Sequence, residues 1–149
     1  MIVARILTPQ SKLATAISFN NDNAQSSLGQ ILDLREINEN DLYHAMDWLF
    51  ERKEIIEKKL AKRHLNNNSL ILYDISSTYF EGEKYPLAAH GHNRDKKKGK
   101  KQIVFGLLCN KEGCPVAVDI FKGNVGDAST LKQQIEKIRK QFDISRKIG

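Results

Sequence analysis

The chain has 149 residues, 40% hydrophobic and 28% charged. That excludes wholesale disorder and suits one domain, or a small helical unit joined to a modest α/β core. A net charge of +6 points to an anionic partner, most commonly nucleic acid. Two cysteines, Cys109 and Cys114, are too few for a disulfide framework. No signal-peptide pattern opens the sequence and no apolar run reaches the length of a membrane span, so an intracellular chain is expected.

Residues 2–20 read as one or two short helical pieces, with Ile2, Ile6 and Leu7 on one face and Pro9 as the interruption. Leu13, Ala16 and Ile17 follow at helical spacing after Ser11, and 28–34 suits another short helix. Residues 20–27 are polar and read as a loop. Asn38 is a good N-cap, with Glu39 and Asp41 in the first turn, where the helix dipole favours acids. The stripe Leu42, Met46, Leu49 and Phe50 then marks a core-facing side, with Trp48 as a core anchor. The helical pattern continues from 51 to 65 and ends in Lys58, Lys59, Lys62, Arg63 and His64, read mainly as a solvated face. The main boundary is placed in the linker at 66–69, giving a helical region over 1–66 and a second region over 67–149.

The second region opens on LILYDISSTYFEG at 70–82. A strand is expected over 70–75, ending near the carboxylate of Asp74, with a long polar segment from 76 to 101 behind it. Asp74 at that place is either a turn cap helped by Ser76 and Ser77 or a ligand for a cation, since a bare buried carboxylate is costly. A second strand is expected over 102–109, a hairpin turn at 110–113 with Gly113 in the bulge position, and a third strand over 115–121. Asp119 alternates with Val118 and Ile120, so it faces away from them, toward solvent or a site, with solvent favoured. Asp127 or Ser129 caps a last helix whose stripe is Leu131, Ile135, Ile138 and Phe142. Three strands and a helix make a thin sheet with exposed edges, the physical mark of a truncated domain.

The strongest charge feature is RDKKKGKK at 94–101, where Arg94, Lys96, Lys97, Lys98, Lys100 and Lys101 surround one acid. Such a loop either binds phosphates without reading sequence or remains a solvated loop that keeps a strand edge soluble. Tyr79, Phe80 and Tyr85 could stack on bases, though Phe80 suits core packing better. His90, His92 and Asp95 form only a weak metal pattern, and two cysteines cannot complete a structural zinc site.

The stretch YDISSTYFEG at 73–82 closely resembles the first catalytic motif of bacterial insertion-sequence transposases of the DDE type, in the superfamily named after insertion sequence four. Further segments resemble that family in order: GHNRD at 91–95, QIVFGLL at 102–108, GCPV at 113–116 and FKGNVGDAST at 121–130. SKLAT at 11–15 and DLY at 41–43 resemble its helical region. The resemblance implies an α/β protein, with an N-terminal helical region followed by a truncated ribonuclease H-like core of strand, β-hairpin and helix. It also implies Mg²⁺-dependent DNA cleavage and strand transfer, with two Asp and one Glu holding two divalent ions. By motif, Asp74 is one of those metal ligands and catalytic groups.

The family's second Asp, in an Asp-Arg-Gly type motif, and its later Glu find no match in this chain, and Asp119, Asp127 and Glu136 do not fit them. A fragment that is inactive alone is therefore expected. The alternative is a non-catalytic DNA-binding or assembly-poisoning module. The implied partners are DNA at element ends and a second copy or a full-length transposase. The implied location is the bacterial cytoplasm, in association with the nucleoid.

Overall fold

The computed structural model describes residues 1–20, 27–34, 36–66, 70–82, 84–91 and 99–142. Among them are six helices and three strands, a mixed α/β architecture. Its backbone divides into two compact units, Met1–Lys53 and Glu54–Gly149. This division lies ahead of the 66/67 boundary placed from composition and groups the last helix before the sheet with the sheet.

The first unit contains α1 (Ile2–Leu7), α2 (Lys12–Asn20), α3 (Leu28–Ile31) and α4 (Glu39–Glu51). Ser11 starts α2, its Oγ accepting from Ala14 N at 3.2 Å. At the other end of α2, Asn20 Nδ2 donates to Ile37 O at 2.5 Å and its Oδ1 accepts from Ile37 N at 2.9 Å, tying α2 to the approach to α4. Asn38 caps α4 as expected, and the cap is a capping box: its Oδ1 accepts from Asn40 N and Asp41 N, and Asp41 Oδ2 accepts from Asn38 N.

The core of this unit is small: Ala4, Ala16, Phe19 and Leu42, with Met1, Leu28, Leu34 and Ile37 against it. The expected apolar faces are largely outside. Ile2, Ile6, Leu7, Leu13 and Ile17 are exposed, and Ala4, Ala16 and Phe19 take the buried positions. On α4 only Leu42 of the predicted stripe is buried, while Met46 and Phe50 are exposed. Trp48 is 56% exposed rather than a core anchor. The Arg52 guanidinium lies 4.0 Å from its ring centroid, and Arg52 also donates to Trp48 O at 3.0 Å. The inward face needs small residues in places, Ala4 and Ala16 beside Phe19 and Leu42. Gly29 shows the same constraint, because a Cβ there would meet Phe19 O at 2.6 Å.

The second unit contains α5 (Lys53–His64 in its full extent), β1 (Ile71–Phe80), β2 (Lys101–Asn110), β3 (Pro115–Lys122) and α6 (Asp127–Gln141). The strands form an antiparallel sheet in the order β1-β2-β3. β1 does not end near Asp74. It continues through the hydroxyl-rich Ser76, Ser77 and Thr78 to Phe80, pairing residue by residue with β2. Tertiary pairing overrides the loop-like polarity of that stretch, because Ser and Thr tolerate the pleat when the partner strand supplies Phe105, Val104 and Ile103.

One face of the sheet carries Tyr73, Leu108 and Ala117 and is covered by helices. Leu108, Val116 and Ala117 are buried there against Leu60 and Leu65 at the end of α5, Ile71 and Tyr73 of β1, and Ile138 and Phe142 of α6. The register shifts between Leu108 and Cys109, leaving Val116 as the extra residue and fully buried at 0% exposure. Gly106 makes room for Tyr73 on this face, since a Cβ there would collide with the Tyr73 ring. The β2–β3 turn is as expected. Gly113 has φ +80, its N–H donates to Asn110 O at 3.0 Å, and Asn110 Oδ1 accepts from Glu112 N and Cys114 N.

The final helix differs from its sequence reading in two ways. Its N-cap is Gly126, and the Ser129 hydroxyl donates to Gly126 O at 2.8 Å instead of capping. Its inward side includes buried Thr130 and Gln134, whereas Leu131 is exposed. A polar network under the sheet draws Gln134 and Lys137 inward and turns the helix away from the all-apolar stripe.

Candidate functional site

Asp74 sits in mid-β1, opposite Leu107, with its side chain exposed. Strand alternation puts it on the face opposite Tyr73 and Leu108, together with Leu72, Ser76, Thr78 and Phe80 of β1. Through Leu107 and Val118 the same face includes Ile103, Phe105, Cys109, Ile120 and Lys122. Leu72, Val118 and Ile120 are exposed there. Asp74 is the one carboxylate on this face of the three strands, surrounded by hydroxyls and apolar side chains.

Cys109 reports the charge of Asp74. It pairs with Leu72, two residues before Asp74, on the shared face. Burial pushes its thiol pKa up, and the Asp74 carboxylate and then Cys114 push it further in the same direction. Both cysteines are free and half-buried.

Asp119 does not face solvent. It accepts from Gln134 Nε2 at 2.8 Å and from Lys137 Nζ at 2.9 Å. Lys137 Nζ also meets Glu57 Oε2 at 2.9 Å, and Glu57 Oε1 accepts from Val118 N at 3.1 Å. Glu57 is only 4% exposed. One ammonium thus answers two carboxylates between α5, β3 and α6, on the helix-covered side of the sheet. Sequence reading missed this network. Its signal was a Glu at 57 between Ile56 and Leu60 on a helix, and a Lys at 137 beside Ile138. Asp119 is engaged in it, so it is not a partner for Asp74.

The basic loop is only partly described. Arg94, Lys96, Lys97 and Lys98 lie outside the described residues, as do His92 and Asp95 of the weak metal pattern. Lys100 is described, with its Nζ 2.6 Å from Glu81 Oε2. Lys101 pairs with Phe80 on the Asp74 face. Six strand positions separate Phe80 from Asp74, about 20 Å along the sheet. Phe80 and Tyr85 pack on each other, their centroids 5.3 Å apart, so these rings are partnered internally.

The two ends of this loop are pinned. Ala89 pairs with Gln102 as an isolated antiparallel bridge, and Gly123 N donates to Leu87 O at 2.9 Å. Gln102 Nε2 donates to Gly123 O at 2.7 Å. A Cβ on Gly91 would collide with Gly123 O, and one on Gly123 would collide with Gln102 O. Two glycines of the motifs at 91–95 and 121–130 are therefore required by a three-way backbone crossing. The crossing fixes where the chain leaves and rejoins the sheet around the lysine run.

Among the described residues no cluster of three or more His, Cys, Asp or Glu side chains could hold a metal ion. Asp74 offers one carboxylate, which does not fit a two-metal site by itself. Among the described residues no helix is long and apolar enough to cross a membrane. No protein-family model, curated protein or solved structure matches this chain.

Proposed function

We propose that the chain carries the first carboxylate, and part of the DNA-holding surface, of a DDE-type transposase with a ribonuclease H-like core, and that it is inactive alone. The observation that carries this reading is Asp74 in the first strand of a three-stranded antiparallel meander followed by a helix on one face, within the motif at 73–82. That order of elements is the one the resemblance implies. The exposed position of Asp74 leaves its carboxylate accessible to a divalent ion shared with a nucleic-acid phosphate. Further ligands must come from outside the described residues, since Asp119 is bound to Lys137. The basic run at 94–101 supplies sequence-independent phosphate contact. The partners are DNA and a second transposase chain, in a bacterial cytoplasm.

Two measurements test this. The DNA downstream of codon 149 is expected to encode an Asp-Arg-Gly motif and a later Glu in frame, and their absence counts against the reading. Incubated with duplex DNA and Mg²⁺, the chain is expected to leave it intact. Cleavage abolished by Asp74→Ala would show that the chain is active without partners.

A further inference from the structure

Helices α5 and α6 both pack on the covered face of the sheet, joined by one ion pair, and advance toward the same end of it. Glu57 meets Lys137, and further along both helices Leu60 and Ile138 pack on one cluster, followed by Leu65 and Phe142. Their C-terminal ends therefore lie together. Each ends in exposed cations: Lys59, Lys62 and Arg63 on α5, Arg139 and Lys140 on α6. None of these five meets a carboxylate among the described residues. Lys58 is different, its Nζ lying 2.7 Å from Glu54. The charge of the chain is lopsided in the same sense. Glu54–Gly149 has 19 Lys and Arg against 11 Asp and Glu, whereas Met1–Lys53 has 5 against 7.

The dipole of a helix favours a cation in its last turn. It does not account for two such ends placed together, where like charges repel. A polyanion relieves that repulsion. Lys59 to Arg63 place three cations along about 6 Å of helix axis, close to the charge density of duplex DNA, about one phosphate per 1.7 Å. Lipid surfaces are a poorer fit, because amphipathic membrane contacts combine cations with inserted large apolar groups. The exposed apolar residues of these two helices, Ile55 and Leu131, lie toward the opposite ends.

We propose that the adjoining basic ends of α5 and α6 form a second phosphate-binding surface for duplex DNA, on the side of the sheet away from Asp74. It shares its partner with the proposed function but uses neither Asp74 nor a metal. A duplex held there is separate from one engaged at Asp74, so one chain can contact two stretches of DNA.

The test is fluorescence anisotropy of the full chain with a short duplex of arbitrary sequence, titrated over a range of salt with a chelator present. Lys59→Gln/Lys62→Gln/Arg63→Gln is expected to lower the slope of log affinity against log salt by about 2 to 3, at about 0.9 per phosphate released. A charge-matched control, Arg5→Gln/Lys12→Gln/Lys84→Gln, is expected to change it by less than about 1. An unchanged slope in the helix variant, or an equal fall in the control, overturns the proposal. So does binding of the wild-type chain to anionic vesicles but not to duplex. Because no divalent ion is present, failure of the Asp74 reading leaves this outcome unaffected.

Discussion

Asp74 and Asp119, the two carboxylates of the sheet, point to opposite faces of it. Asp74 is exposed among hydroxyls and apolar groups, and Asp119 lies under the helices, 2.9 Å from Lys137 Nζ. Register decides this: Asp74 pairs with Leu107 and Leu107 with Val118, so Asp119 takes the other side. The functional reading concerns the first of these groups and stability the second.

Lys137→Ala is expected to destabilise the chain by about 3 kcal/mol, because it removes the ammonium that answers the buried Glu57 and the half-buried Asp119. Asp119→Asn costs less, since the amide can still accept from Gln134 or Lys137 and removes one of the two negative charges. Urea unfolding of the two variants checks the order. Equal and small losses would show that the network is not buried as described.

Gly123→Ala is expected to cost about 2 to 3 kcal/mol, with Gly91→Ala close behind, since each new methyl meets a backbone carbonyl rather than a movable side chain. Gly99 has open space around it but φ +79, so Gly99→Ala is disfavoured by backbone strain alone, by about 1 kcal/mol. Chemical denaturation of the three variants gives the ranking.

Cys109 is expected to react slowly with iodoacetamide. Its thiolate is disfavoured by burial and by Asp74, so its rate rises only at a pH above that of an ordinary thiol. Asp74→Asn removes one cause and should speed the reaction at fixed pH. The stability sign follows. A thiol raised on folding keeps its proton longer than in the unfolded chain, so its contribution is full below the unfolded value and is lost as pH rises through the folded one. Mass-spectrometric alkylation rates against pH measure this, with Cys114 as the internal comparison.

Trp48 is the only tryptophan in the chain. Arg52→Ala removes the guanidinium from its face and is expected to change its emission while costing less than about 1 kcal/mol, as for an exposed cation–π pair. A loss larger than that would place Trp48 in a core.

Much of the fold was legible in local chemistry. Asn38 and Asp41 announce a helix start because capping is a short-range contact, and Asn110 and Gly113 announce a turn for the same reason. The facing of side chains was less legible. The alternation that sets Asp119 against Val118 and Ile120 was readable, but the identity of the covered face depends on both α5 and α6 packing on one side. The end of β1 was misread for a similar reason, since Ser76, Ser77 and Thr78 become strand through distant partners on β2, Phe105, Val104 and Ile103. In the first unit, Ala4 and Ala16 join Phe19 and Leu42 in the inward positions while Ile2, Ile6, Leu13 and Ile17 stay outside, a facing that periodicity did not give. Asp74 itself stood out through its motif. Its exposure and the engagement of Asp119 needed the register.

The most direct test of the central claim is a Mn²⁺ titration of the isotope-labelled chain bound to duplex DNA, followed by paramagnetic broadening of its amide signals. The account predicts broadening centred on Asp74 and its face neighbours Leu72, Ser76 and Leu107, and its loss in Asp74→Asn with DNA still bound. Broadening centred on Asp119 and Glu57, or persisting undiminished in Asp74→Asn, would contradict it.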